Sequence, residues 1–122
     1  MTIDALGSYG VTGSRKEGLA GEWVGSAKVP AMGIKLRRWV TMHGVALNVR
    51  PGMRYFDNIV PCDIDDGALS VGALRDWVPG ADLAHVAPRF RDAFADHFCV
   101  QVDELCGDAA LNFLMALPVA AT

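Results

Sequence analysis

The sequence predicts an α+β domain, with a strand-rich part over residues 1–64 and a mostly helical part over residues 65–122. Three observations lead there. Residues 28–49 hold two apolar runs, each interrupted by a glycine, Gly33 and Gly44, a pattern that suits strands better than a helix. From Asp82 onward Leu83, Val86, Phe90, Ala93, Phe94 and Phe98 recur near helical spacing. Turn chemistry at Gly25-Ser26, Arg50-Pro51-Gly52 and Pro79-Gly80 separates the runs.

The chain has 122 residues, the length of one ordinary domain. Hydrophobic residues make up 52% and charged residues 20%, which argues for a packed core and against disorder. A formal charge of −3 gives no reason to expect nucleic acid or a membrane surface as a partner. The one basic cluster, Lys35, Arg37 and Arg38, sits within a strand-like run. No stretch reaches the roughly 18 apolar residues of a membrane span. The N-terminal residues MTIDALGSYG lack the basic start and apolar centre of a secretory signal. Cysteines at 62, 99 and 106 are odd in number and lack CxxC spacing, which fits free thiols in a reducing compartment.

In chain order, residues 1–9 read as a helix end closed by Gly7 and Gly10. Residues 11–21, rich in Gly, Ser and charge, read as an exposed loop. Glu22 to Val24 is a short strand, and Gly25-Ser26 turns the chain into a second strand over 28–40. That strand alternates imperfectly, with a slip at Arg37-Arg38. Residues 41–49 form the next strand, Met53 to Phe56 a helical turn, and Asp63–Gly67 an acidic turn. Ser70 caps a predicted helix running to Trp77. The helix from Asp82 carries Pro88 within its first two turns, where proline is best tolerated. Residues 98–102 read as a final strand, Asp108–Leu117 as a helix, and the last residues as a disordered tail.

The sharpest candidate for chemistry is Cys62, because a thiolate is a strong nucleophile and a nearby ammonium favours it over the thiol. Lys28 lies on the strand whose neighbour leads toward Cys62, so the two can meet across adjacent strands. Each has a plainer reading. Free cysteines are usually small buried hydrophobes, and a lysine after a turn is usually a solvated strand end. His43 precedes Gly44 in the second strand and serves either as a hydrogen-bond donor or as a satisfied core group. His85 and His97 sit at opposite ends of one helix, as surface or cap groups, and Cys99 and Cys106 read as structural. No metal-site spacing and no phosphate-binding glycine motif is present.

These residues carry a resemblance. GEWVGSAKVPAMGIKLRRWVTMHGVALNV, followed by FDNIVPC, resembles the second half of the lipoyl(octanoyl) transferases. That family shows a G-V-W/Y-V strand, a lysine before A-x-G-I/V, an R-x-x-x-x-H-G-x-A-L-N-V segment and then F-x-x-I-x-P-C-G. The likeness covers about residues 1–98. It implies a biotin/lipoate protein ligase-like fold, a mixed β-sheet flanked by helices. It further implies ping-pong acyl transfer, in which octanoyl passes from acyl carrier protein to Cys62 and then to a lysine of a lipoyl domain. By resemblance Lys28 lowers the thiol pKa and shuttles protons. Ala31, Met32, Gly33, His43, Gly44, Val45 and Ala46 match positions at the substrate pocket.

The same resemblance implies no cofactor and no metal. As partners it implies octanoyl-acyl carrier protein, the lipoyl domains of 2-oxoacid dehydrogenase complexes and the glycine cleavage H protein. Neither nucleic acid nor membrane is expected; the chain is expected to be a monomer in the cytoplasm, or in mitochondria or plastids of a eukaryote. Two departures stand out. The family's R-G-G…H-G-P-G-Q segment, which forms the other pocket wall, has no counterpart here, so the chain reads as a partial catalytic domain. Asp63 also stands where the family has glycine, and its carboxylate opposes the thiolate. The alternative reading is a catalytically impaired partial domain that acts as a binding remnant or needs a partner chain.

Overall fold

The computed structural model describes residues 1–59, 64 and 67–117. It opens with helix α1 (Thr2–Gly7), which buries Thr2, Ala5 and Leu6. Strands β1 (Ser14–Lys16) and β2 (Leu19–Val24) follow as an antiparallel hairpin. A tight Gly25-Ser26 turn leads to β3 (Ala27–Lys28), whose Lys28 lies directly opposite Trp23. On its other side β3 pairs in parallel with β6 (Ser70–Val71). The resulting sheet has the order β1-β2-β3-β6 and is mixed.

After a break at Val29 the chain forms a long hairpin of β4 (Pro30–Arg37) and β5 (Val40–Leu47). Its register runs without a slip from Pro30↔Leu47 to Arg37↔Val40. A short 3-10 turn covers Met53–Asn58, and another covers Leu74–Asp76. Helix α2 (Leu83–Phe98) is capped by the Asp82 carboxylate, which accepts from the His85 N–H. That bond holds the Asp82 carboxyl below its usual range. Helix α3 (Gly107–Ala116) closes the described chain.

The core sits where these elements meet: Leu6, Val11, Val49, Leu74, Ala81 and Val86, with Tyr9, Val24, Leu47 and Val78 against them. Helix α1 packs on α2, where Arg89 stacks 4.1 Å over Tyr9 and donates to the Ser8 carbonyl. Apolar packing stops short of the periphery. Helix α3 buries no residue, and the hairpin leaves Ile34, Leu36 and Val40 exposed.

Several sequence expectations need correction. Residues 11–21 are not all loop, because β1 and the start of β2 lie there. An edge strand buries little, so its polar composition conceals it. The strand expected over 28–40 is two strands and a turn. The slip at Arg37-Arg38 is the turn itself, with Arg38 and Trp39 both left-handed. The helix expected over 70–77 is instead β6 and a 3-10 turn. The Gly72 N–H donates to the Lys28 carbonyl, and a Cβ there would fall 2.9 Å from both Ala27 and Trp77, so β-pairing and close approach override the local capping signal. The strand expected over 98–102 is absent; Cys99 ends α2 in a left-handed conformation, and the Val100 N–H bonds back to Ala95. The segment Val60–Asp63, Asp65, Asp66 and the tail 118–122 lie outside the described residues.

One buried group stands out in β2. Glu22 is only 4% exposed, and its Oε2 has no hydrogen-bond partner among the described residues. Burial raises its pKa, opposed by the N-terminal ammonium and Arg15. The folded chain therefore holds this proton more tightly than the unfolded chain does. The contribution of Glu22 to stability is present below the ordinary value of 4.5 and is lost as pH rises through the raised one. The isosteric change Glu22→Gln is expected to raise the melting temperature relative to wild type at about pH 7, with the gap narrowing at about pH 4. Equal gaps at both pH values, read by calorimetry, would show that ionisation of Glu22 is not the cause.

Candidate functional site

The tight turn at Gly25-Ser26 fixes the register that builds the site. It sets Trp23 against Lys28, so both side chains leave the same face of the sheet. Lys28 is not the solvated strand end that its sequence context suggests. It is 9% exposed, with Nζ 5.9 Å from the centre of the fully buried Trp23 ring. Lys16 reaches the same ring at 5.5 Å.

The Lys28 stem runs over Gly21. A Cβ at position 21 would fall 2.7 Å from Lys28 Cε and 2.7 Å from the Pro30 carbonyl oxygen, and the backbone there has φ +93°. Glycine is thus required twice, for the conformation and for the passage of the lysine. Gly21 and Trp23 are the residues that sequence reasoning missed, although the two-residue turn was a sufficient signal for the cross-strand pairing. The backbone of Lys28 is held from the other side by the Gly72 N–H, 2.9 Å from its carbonyl.

Beyond Lys28 the chain enters the β4–β5 hairpin. Ala31, Met32, Gly33, His43, Gly44, Val45 and Ala46, the seven pocket positions read from sequence, line one open cavity of about 430 Å³. Gly33 lies directly opposite Gly44, and a Cβ on either would meet nothing within 4 Å. These glycines leave surface open rather than admit a neighbouring backbone. Gly44 also adopts φ +131° and His43 φ +72°. His43 is exposed, so it is not a core histidine. The cavity has a floor and little else, because most of its lining is solvent-facing.

Cys62 lies outside the described residues, as does Asp63, and their relation to Lys28 is not described. The other two cysteines, expected to be structural, are free and exposed. His85 Nδ1 lies 2.7 Å from the Asp82 carboxylate and His97 Nδ1 3.5 Å from the N-terminal amine, so both histidines serve helix ends.

A second and more apolar groove of about 460 Å³ runs between β5 and α2. It is lined by Val45 and Leu47 on one side and by Val86, Phe90 and Phe94 on the other. Val45 belongs to both hollows, so the hairpin is exposed on two faces.

The requirement for glycine under the lysine gives a stability test. Gly21→Ala is expected to cost roughly 1–3 kcal/mol in urea unfolding, because alanine at positive φ is strained and its methyl meets the Pro30 carbonyl. A variant as stable as wild type would mean that β2 can shift away at no cost.

Comparison with known proteins agrees with this architecture. The lipoyl protein ligase A/B catalytic domain matches residues 1–95. An octanoyltransferase of Synechococcus sp. (strain WH7803) is 45% identical over 98 residues, 80% of this chain and 39% of that protein. One from Gloeobacter violaceus is 43% identical over 117 residues, covering 96% and 50%. One from Nostoc punctiforme is 44% identical over 104 residues, covering 85% and 44%. The chain thus spans half or less of the length of these relatives. The mixed sheet with flanking helices is the biotin/lipoate ligase-like fold expected of such a match. The chain belongs to the lipoyl protein ligase A/B catalytic-domain family.

Proposed function

We propose that this chain carries the acyl-transfer part of an octanoyltransferase, with Cys62 as nucleophile and Lys28 as proton carrier. The observation that supports it most is the continuity of the buried Lys28 with a hairpin floor of small residues. Such a floor gives an alkyl chain an apolar bed without side chains in its path. The donor is octanoyl-acyl carrier protein, and the acceptor is a lysine of a lipoyl domain.

In the first half-reaction the Cys62 thiolate attacks the thioester carbonyl, and the carrier thiolate leaves with the bonding electrons. The Lys28 ammonium stabilises the attacking thiolate and gives its proton to the departing one. In the second half-reaction the acceptor amine attacks the Cys62 thioester. The neutral Lys28 amine takes the proton that the nitrogen loses as the amide forms, and Cys62 departs as thiolate. Each cycle returns Lys28 to its ammonium form. The buried indole of Trp23 lowers the local dielectric, which strengthens the lysine–thiolate attraction.

A second reading has its own observation. Among the described residues the floor has no opposite wall, and the hairpin exposes Ile34 at 60% and Val40 at 63%. On this reading the chain is a partial domain, with its strand-rich residues 1–64 as the active-site part, and it acts only with a complementary polypeptide.

Both readings meet in one experiment, incubation with octanoyl-acyl carrier protein followed by intact mass measurement. A single octanoyl adduct is expected, absent in Cys62→Ser and formed roughly 100-fold more slowly in Lys28→Met. An adduct that forms only when the remaining half of a relative's domain is added supports the second reading. No adduct from folded protein under either condition overturns both.

A further inference from the structure

The sequence has one basic cluster, and the acyl-transfer chemistry leaves it unexplained. Lys35, Arg37 and Arg38 occupy the far end of the β4–β5 hairpin. The cluster lies in a wider asymmetry. No carboxylate occurs between Trp23 and Phe56, although the chain has 14 acidic residues, and six of its 11 basic residues fall in that interval. No ion pair among the described residues involves Lys35, Arg37 or Arg38. A net-negative chain thus presents a hairpin whose charged tip residues are all cationic.

The tip is also built in an unusual way. Its two central residues, Arg38 and Trp39, have φ +50° and +64°. Two-residue hairpin turns of this hand normally use Asn-Gly or Gly, which reach positive φ with little strain. Placing arginine and tryptophan there strains the backbone. Among the described residues nothing repays it, because the Trp39 side chain is 92% exposed. An aromatic ring held in solvent among three cations is an arrangement for contact with another molecule.

The position of the tip relative to the cavity says which molecule. Along β4, Lys35 and Arg37 continue the alternate row begun by Ala31 and Gly33. At about 3.3 Å per residue they stand roughly 7 and 13 Å beyond Gly33. The cationic row therefore leads down to the open floor where the acyl chain is to lie. A donor in acyl transfer arrives with its thioester on a phosphodiester-bearing arm, and the cationic row attracts that anion. An acceptor arrives with a lysine ammonium, which the same row repels.

We propose that Lys35, Arg37, Arg38 and Trp39 form the docking surface for the acidic face of the protein that delivers the acyl thioester. The cations steer the donor and hold its phosphodiester, and Trp39 packs against its surface. This rests on the acyl-transfer reading above, so the decisive measurement is binding, which requires no turnover.

Wild type is titrated with octanoyl-acyl carrier protein at about 0.1 M and about 1 M salt, between which the Debye length falls from about 10 Å to about 3 Å. Binding is expected to weaken on the order of tenfold or more in high salt, and equally in the triple variant Lys35→Glu, Arg37→Glu, Arg38→Glu at low salt. Should the triple variant not fold, as judged by circular dichroism, the neutral Lys35→Gln, Arg37→Gln, Arg38→Gln form replaces it, with a smaller loss expected in the same direction. Trp39→Ala is expected to weaken binding without changing its salt dependence.

Acylation by carrier-free octanoyl-pantetheine serves as the control, and the charge variants should leave its rate unchanged. Equal affinity of folded wild type and charge variants for the donor overturns the proposal. So does a loss confined to lipoyl-domain binding, which would assign the tip to the acceptor. Failure of both thioesters to acylate the chain counts against the acyl-transfer reading, while the binding titration still decides the docking surface.

Discussion

Three residues of one short segment, Ser26, Lys28 and Val29, tie the described structure together through their backbone carbonyls. The Ser26 carbonyl accepts from the Ser70 N–H, that of Lys28 from Gly72, and that of Val29 from Asn48. Asn48 in turn accepts from the Leu74 N–H and Val49 from Arg75. Its side-chain amide donates to the Gly72 carbonyl at 3.2 Å. The short β3 is thus the seam along which β2, the base of the hairpin and the 70–75 segment are joined. The core residues Val49 and Leu74 belong to the segments joined there. A lysine placed on the seam inherits its rigidity, which is what a proton carrier needs if its nitrogen is to stay within reach of a partner.

The parts of this arrangement that the sequence made legible are those fixed by local chemistry. The Gly25-Ser26 turn, the start of a helix at Asp82 and the apolar period of α2 each act over a few residues, and each is found. The failures share a physical cause. Ser70 is a good helix cap in isolation, but Val71 and Gly72 gain more from pairing with β3 across more than 40 positions of chain. Residues 98–102 have strand composition but pair with no strand among the described residues, so they form none. The polar edge strand β1 gave no apolar signal because it buries almost nothing.

The candidate site was legible in a different way. The glycines and small residues of the hairpin could be named from the resemblance, and they converge on one cavity. Burial of Lys28 could not be read from its neighbours in sequence, since it depends on Trp23 across the strand and on the absence of a side chain at Gly21. Electrostatic surroundings of this kind belong to the folded arrangement. They are invisible to composition and become predictable only when register is known.

The two-stranded hairpin has one more consequence. Its strands pair with each other, and in the described sheet topology neither joins the four-stranded sheet. A long ribbon whose edges are unpaired among the described residues and which exposes apolar side chains is a template for stacking against copies of itself. At the tip, two such ribbons brought edge to edge would align Lys35, Arg37 and Arg38 with their own counterparts, and the resulting repulsion opposes the stack. The same three cations therefore act as gatekeepers of solubility. During synthesis and purification, salt concentration would govern not only what this chain binds but whether it stays dispersed.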